Sequence, residues 1–445
     1  MKIKKWLALA LAICLCASLL VGCGGNSGTA SSDEPSGGAN VGTDPLYGEG
    51  DNGTIALKVW CPQEALELTT KQCNDFAALY PNAKFTFEVT PQKESEATEN
   101  LLTKPDGQAD VFFYASDQLN NLVDAGVIYD VFGQPNEVTG YSVDTVKEAN
   151  SEASINAATV NGKLYSYPMT DNGYMLVYNK KYVTAEQAKT WEGVLEASKA
   201  AGKKFSMDAE NGFYSCIFPF TAGAKLNGIE SYTLPNGVPV LEQKLTEYDE
   251  EKAVDVVEAF AKLFHSYPAN FQSVGVDAVV TGFEEDTIAA GIAGTWQAAP
   301  LSKQLGDNFG VAVLPTINVK GEDMQTVGIM GYKFVGVNKG TKYKETAQLL
   351  AYYLTSETAQ IERAKELKWG ATNIKAAADP EVTSNPMTAI SIEESAYFVP
   401  QSNMAESVWD ACGAFGSYMF AADKAYDRET LKGAFSDMIS QIRNV

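Results

Sequence analysis

The chain has one histidine in 445 residues. His265 stands in "KLFHSY", inside an amphipathic helical pattern, where a lone imidazole reads as structural. A Ser-His-Asp triad would have to use it, and no G-x-S-x-G turn is present to carry a serine nucleophile. Cysteine is scarce: seven in all, with no C-x-x-C and no Cys/His group at zinc spacing. No G-x-x-x-x-G-K-[ST] occurs, so any ATP hydrolysis belongs to another subunit. Positive charge is in deficit, 34 basic against 56 acidic side chains for a formal −22. That sign argues against nucleic acid, whose phosphates demand Lys and Arg. Beyond the N-terminus no apolar run is long enough to span a bilayer. Nothing in the sequence asks for a metal or a cofactor.

What is present begins with the leader. "MKIKKWLALALAICLCASLLVGCGGNSG" places Lys2, Lys4 and Lys5 before an apolar run and ends it with small residues, the pattern of an exported signal over 1–22. Leu20-Val21-Gly22-Cys23 resembles a bacterial lipobox. The resemblance implies cleavage before Cys23 and diacylglyceryl modification of its sulfur, an anchor of two chains where one would hold only marginally. Residues 24–53 are rich in Gly, Ser and Asp and cannot offset their ordering entropy by burial, so 23–53 reads as a lipidated tether. Cys14 and Cys16 leave with the signal. Cys61, Cys73, Cys216 and Cys412 remain; Cys73 falls on an apolar helical face, and export also leaves a Cys61–Cys73 disulfide open.

The body alternates. "TIALKVW", "AKFTFEV" and "ADVFFYA" read as strands. Between and after them "EALELTTKQCNDFAALYP", "SEATENLLTK" and "SDQLNNLVDAG" carry helical spacing, the last with Ser116 or Asp117 as its cap. Strands alternating with helices predict a parallel α/β sheet. Ligands of such sheets bind beyond the carboxyl ends of strands, here Pro62–Glu64 and Tyr114–Gln118. "EEKAVDVVEAFAKLFHSY" and "KYKETAQLLAYYLTSETAQIERAKEL" predict long core-facing helices. "GFEEDTIAAGI" (282–292) is helix-like, and "NFGVAVLPTI" follows as a strand. Between them, in "AGTWQAA", Trp296 lies near an element end among residues too small to cover it.

Six segments in order resemble one family. "NGKLYSYPMTDNGYMLVYNKKYV" (161–183) is similar to the extracellular solute-binding proteins of ABC sugar importers, with Gly162, Lys163, Tyr165, Pro168 and then Tyr178-Asn179-Lys180. "ADVFFYASDQLNNLVDAGVIYDV", "AAGIAGTWQ", "FGVAVLPTI" and "IMGYKFVGVNKG" match in sequence order. "FVPQSNMAESVWDACGAF" resembles the maltodextrin-binding branch, through Pro400, Met404 and Trp409. The resemblance covers nearly all of 54–445. It implies a two-lobe periplasmic-binding-protein-like α/β fold with hinge crossings near 169–171, 328–332 and 377–385 and a central ligand cleft. Lobe 1 would be 54–169 with 331–378; lobe 2 would be 170–330 with 379–445.

A pyranose has apolar C–H faces and a rim of hydroxyls; flat aromatic rings suit the first, carboxylates and amides the second. By the resemblance Trp296, Trp409 and Tyr114 match stacking aromatics, and either Phe213 or Tyr214 matches another. Trp369 stands where the family places a Gly-rich loop near the cleft, and Tyr332 is a similar candidate. Asp117 matches a sugar-binding carboxylate, and Glu64 an acidic residue after the first strand. Several positions depart from the pattern. Gln118 replaces a frequent basic residue, Ala65 a lysine, Asn172 a glutamate preceded here by Asp171, and Gly413 an arginine. Glu210 and Asn211 are weaker candidates that also fit a turn.

These readings imply a monomeric, lipid-anchored binding protein at the outer face of a bacterial cytoplasmic membrane. It would deliver an oligosaccharide, a maltodextrin or other α-glucan, to membrane permease subunits and would not be an enzyme. A different oligosaccharide, a polyol or a peptide is the alternative cargo. A secreted glycoside hydrolase would need two carboxylates about 5–9 Å apart across the scissile bond, and no recognisable motif supplies them.

Overall fold

The computed structural model describes residues 54–443 apart from 227–228, 234–238, 244–246, 403, 405 and 422–423. The leader, Cys23 and the tether lie outside the described residues.

Alternation builds the first strand. In β1 (Thr54–Cys61) Ile55, Leu57, Val59 and Cys61 are buried while Thr54, Ala56 and Lys58 are exposed. The chain continues through β2 (Lys84–Pro91), β3 (Val111–Ala115), β4 (Thr159–Val160), β5 (Lys163–Leu164), β6 (Tyr167–Asn179), β7 (Lys204–Met207) and β8 (Ile229–Thr233). Then come β9 (Pro239–Gln243), β10 (Phe271–Ser273), β11 (Ile288–Gly294), β12 (Phe309–Ala312), β13 (Thr316–Val319), β14 (Glu322–Gln325), β15 (Ile329–Val337) and β16 (Val399–Pro400). Three pairs, β4–β5, β8–β9 and β13–β14, form small two-stranded sheets. The rest form one sheet in the order β10-β7-β11-β6-β15-β3-β1-β2, with β12 beside β6 and β16 beside β15.

The middle of that sheet is antiparallel and its flanks are parallel. β1 pairs parallel with β2 and β3, and β7 pairs parallel with β10 and β11. β6 and β15 pair antiparallel. β6 changes partners along its length: residues 167–173 face β15, and 174–179 face β11 and β12. Two large apolar clusters follow this change. One gathers Ile55–Met169 with Phe334–Trp369; the other gathers Tyr174–Ile329 with Phe398–Ile442. Trp296 packs against both. The expected crossings at 169–171 and 328–332 fall on β6 and β15, and 377–385 spans the short helix Pro380–Thr383.

Three expectations are corrected. Residues 282–292 are not one helix. The helix Asp277–Glu284 stops, Asp286 turns the chain at φ 54°, and β11 begins at Ile288. Every residue of β11 is buried, and a Cβ on Gly291 would lie 2.8 Å from the Ser206 carbonyl oxygen. Its Ala/Gly run fits a strand pressed between neighbours, which loses the alternation that marks half-exposed strands. The long pattern 342–367 is two helices, Lys344–Leu354 and Glu357–Leu367, because Ser356 caps the second by accepting from the Ala359 N–H at 3.3 Å. The N-cap position of the helix Leu119–Asp124 is Gln118 rather than Ser116 or Asp117; both of those side chains also bond to distant segments. Cys61, Cys73, Cys216 and Cys412 are buried free thiols, with no Cys61–Cys73 bridge. Burial pushes the Cys61 thiol up to about 11 and that of Cys73 to about 12.

Candidate functional site: a cleft at the strand ends

A cleft of about 1160 Å³ opens where the carboxyl ends of several strands converge. Pro62, Gln63 and Glu64 enter it after β1, Gln92, Lys93, Glu94 and Glu96 after β2, and Asp117 with Gln118 after β3. Across from these come Asn172 of β6, Phe213 and Tyr214 of the short helix Gly212–Ser215, and Trp296 just after β11. Backbone direction explains the convergence: a strand end is where the chain leaves the sheet and its side chains turn outward.

Hydrogen bonds order one wall. The Gln401 Nε2–H donates to Asp117 Oδ1 at 3.0 Å, and the Gln118 Nε2–H donates to Asp117 Oδ2 at 3.0 Å. Asn172 Nδ2–H donates to Gln401 Oε1 at 3.0 Å. In the same lining Lys333, from β15, sits with its side chain 5% exposed and its Nζ 3.0 Å from Glu94 Oε2. The same ammonium lies 5.1 Å from the Trp296 ring centroid and 5.2 Å from that of Trp369, within cation–π range. Trp296 is half-buried, and Gly294 makes its fold-back possible: a Cβ there would meet the indole at 2.3 Å. Phe213 lies 6.2 Å from Trp296, centroid to centroid.

The remaining sequence candidates divide between the core and the cleft. Tyr114 is fully buried, its hydroxyl bonded to Ser166 and its ring edge-on to Phe334, and burial raises its pKa. A core position on a strand buried along Val111–Tyr114 leaves it no face for a ligand. Tyr332 stacks on Phe334, and its backbone N–H donates to Ser116 Oγ at 3.1 Å. Trp369 is 2% exposed, packed in the first apolar cluster. Trp409 packs on the second cluster, 6.4 Å from Phe213. Asp171 accepts from Ser391 Oγ at 2.7 Å. Asp171, Tyr332, Trp369 and Trp409 are not in the cleft lining. Tyr214 lines it while 1% exposed, and burial holds its phenol well above the ordinary value. Asn211 joins the lining, and its side chain caps the helix at Gly212–Ser215. His265 is outside it, with Nε2 3.0 Å from the Met419 carbonyl oxygen and its ring 3.9 Å from that of Tyr426.

Sequence reading missed Lys333, Gln401 and the turn after β2. The rule that selects strand ends would have selected Gln92–Glu96 had it been applied to the second strand. Lys333 shows as a charge inside the apolar pattern "IMGYKFVGV". Gln401 directly follows Pro400 of a quoted segment.

The lining carries six carboxylates, Glu64, Glu94, Glu96, Asp117, Asp277 and Glu284, against Lys93 and Lys333. Both lysines are paired within it, Lys93 with Glu96 at 3.7 Å and Lys333 with Glu94. The cleft therefore offers hydrogen-bond acceptors, amides and an aromatic ring, and no unbalanced cation. Among the described residues no group of three or more His, Cys, Asp or Glu is placed to hold a metal ion, and no helix is long and apolar enough to cross a membrane.

Residues 71–389 match the model of the bacterial extracellular solute-binding proteins. The chain belongs to this family. This solute-binding protein is 24% identical over 383 residues to the galactooligosaccharide-binding protein of Bacillus subtilis, covering 79% of this chain and 85% of that one. It is 23% identical over 371 residues to the maltotriose-binding protein of Pyrococcus abyssi, covering 81% and 76%. It also superposes on a solved structure with acarbose at TM-score 0.74 and 27% identity, covering 88% and 99%. The two-lobe α/β architecture of solute-binding proteins accounts for the paired apolar clusters and for the strands β6 and β15 that run between them.

Proposed function

We propose that this protein captures an uncharged oligosaccharide of the malto-series outside the cell and hands it to an ABC permease. The observation that carries the reading is the pairing, in one cleft, of the Trp296 ring with the acceptor-rich group Asp117, Asn172 and Gln401, both lysines of the lining being already matched. A ring for C–H faces beside carboxylate and amide groups for hydroxyls is what a pyranose needs. The charge balance disfavours an anionic cargo. Names borne by two relatives, for maltotriose and for galacto-oligosaccharide, place the candidates within oligosaccharides and make the second the competing cargo.

Lobe 1 is proposed as 54–169 with 331–378 and lobe 2 as 170–330 with 379–445, closing by hinge motion on the sugar. The monomer is held by diacylated Cys23 and the tether to 53. Reversible capture with no chemistry is the proposed activity.

The test uses the chain from residue 24 onward. Calorimetric titration with maltotriose, maltohexaose, a β-galacto-oligosaccharide, a xylo-oligosaccharide and glucose is followed together with tryptophan fluorescence. Saturable binding of the malto-series with a fluorescence change is expected, and Trp296→Ala is expected to weaken it by about 2 kcal/mol, over tenfold. Binding of the galacto-oligosaccharide alone would transfer the cargo assignment to that sugar. Silence across the panel would remove the saccharide reading.

A further inference from the structure

Gln401 sits where three segments meet. It follows β16, is 3% exposed, and its backbone N–H donates to the Met330 carbonyl of β15 at 2.7 Å. Its side chain works in two directions at once. Nε2 donates to Asp117 Oδ1, on the turn after β3, and Oε1 accepts from Asn172, on the crossing strand β6. The site is built to admit it: a Cβ on Gly331 would lie 2.1 Å from Gln401 Oε1 and 2.6 Å from Ser116 Oγ. A primary amide supplies, at every pH, a donor to a carboxylate and an acceptor to an amide N–H from one planar head. A carboxylate here would face Asp117 with like charge, and an ammonium would offer Asn172 nothing to donate to.

We propose that Gln401 is a positioning residue that holds Asp117 for the ligand and couples it to the crossing strand through Asn172. The inference rests on the reading that Asp117 receives a saccharide hydroxyl. The two oxygens of Asp117 accept from Gln401 and Gln118, and a carboxylate oxygen can accept more than one hydrogen bond. A sugar hydroxyl donating there competes for the same carboxylate, so its arrival alters the Gln401 bond and, through it, the hold on β6. Ligand occupancy and hinge geometry are thereby joined by two hydrogen bonds.

Two substitutions test this. Gln401→Glu keeps the size and the acceptor for Asn172 but replaces the donor to Asp117 with an oxygen. Gln401→Met removes both polar functions. Affinity for the best saccharide of the panel is measured beside wild type at about pH 8 and about pH 5, with closure followed by small-angle scattering. A carboxyl pair sharing one proton regains a donor as pH falls. Gln401→Glu is therefore expected to bind about tenfold weaker than wild type at the higher pH and to recover most of that loss at the lower one. Gln401→Met is expected to stay weak at both and to close less completely at saturation. Binding within twofold of wild type for both variants, or a Gln401→Glu deficit independent of pH, would overturn the assignment. A readout without ligand keeps the two readings apart: carboxyl NMR should show Asp117 titrating at higher pH in Gln401→Glu than in wild type. An unmoved titration overturns the Asp117–Gln401 coupling even if no saccharide binds; a moved one beside a silent panel removes only the cargo.

Discussion

Lys333 is a charge placed in a strand that otherwise reads as core. Its neighbours Phe334 and Val335 are fully buried, and its own side chain is nearly so. Glu94 and the faces of Trp296 and Trp369 replace the water it gave up. Glu94 leans on it in return, since its Oε1 is buried with no hydrogen-bond partner. Breaking such a pair from one side leaves an uncompensated charge, whereas removing both partners costs far less. Lys333→Met is expected to destabilise the protein by about 3 kcal/mol, and adding Glu94→Gln is expected to restore most of it. Urea denaturation of the two variants and wild type decides; equal losses in single and double variants would mean the pair is not coupled. Residue identity of this kind is only half legible beforehand. The sequence shows a lysine in an apolar run but not that Glu94, far earlier in the chain, will meet it. Tyr114 illustrates the opposite failure: it stands at the right strand end, yet its side chain turns into the core beside Phe334 and Ser166. Asp117, three residues on, is the one at the cleft.

Elements were legible where their hydrophobic period was clean and illegible where packing overrode it. β1 shows perfect alternation; β11 shows none, because both its faces are covered. The helix Glu406–Phe420 is a further case, because its contact is made by residues that carry no pattern. It lies against segment 209–215 through glycine. A Cβ on Gly212 would fall 1.9 Å from the Trp409 carbonyl oxygen, one on Gly413 2.5 Å from that of Glu210, and one on Gly416 2.0 Å from that of Ala209. The departure at Gly413, where the family resemblance sets an arginine, thus has a steric reason: the backbone of Glu210 occupies the space. Gly416→Ala poses two opposed effects. Alanine favours a helix interior by about 1 kcal/mol, but here its methyl meets a backbone oxygen that cannot rotate away. The clash is expected to win, with a net loss of about 1–3 kcal/mol in urea denaturation. A net gain would show that the helix and segment 209–215 pack more loosely than described.

At the scale of the whole molecule, the sequence conveyed two-lobe architecture through the order of six loose segments. It did not convey the buried acid that accompanies the crossing region. Glu394 is fully buried; one oxygen accepts from the Leu314 N–H at 3.0 Å and the other has no partner. Burial holds its carboxyl well above the ordinary 4.5, with Glu393 and Asp171 adding like charge and the Leu314 bond opposing. The unfolded chain releases this proton near 4.5 while the folded chain keeps it to higher pH. Between those two values the native state binds more protons than the unfolded state, so Glu394 makes stability fall as pH rises. Below about 4.5 both states are protonated and the effect vanishes. Glu394→Gln keeps an oxygen for the Leu314 N–H and abolishes the titration. Any fixed cost of the added amide protons is the same at every pH. The stability difference between Glu394→Gln and wild type is therefore expected to grow in the variant's favour from about pH 5 to about pH 8, by at least about 1 kcal/mol. Thermal or urea unfolding at both pH values reads this directly, and parallel pH profiles for the two proteins would mean that Glu394 titrates as it does in water. Because the same acid feels Asp171 on β6, a proton held at Glu394 leaves one negative charge fewer beside that strand.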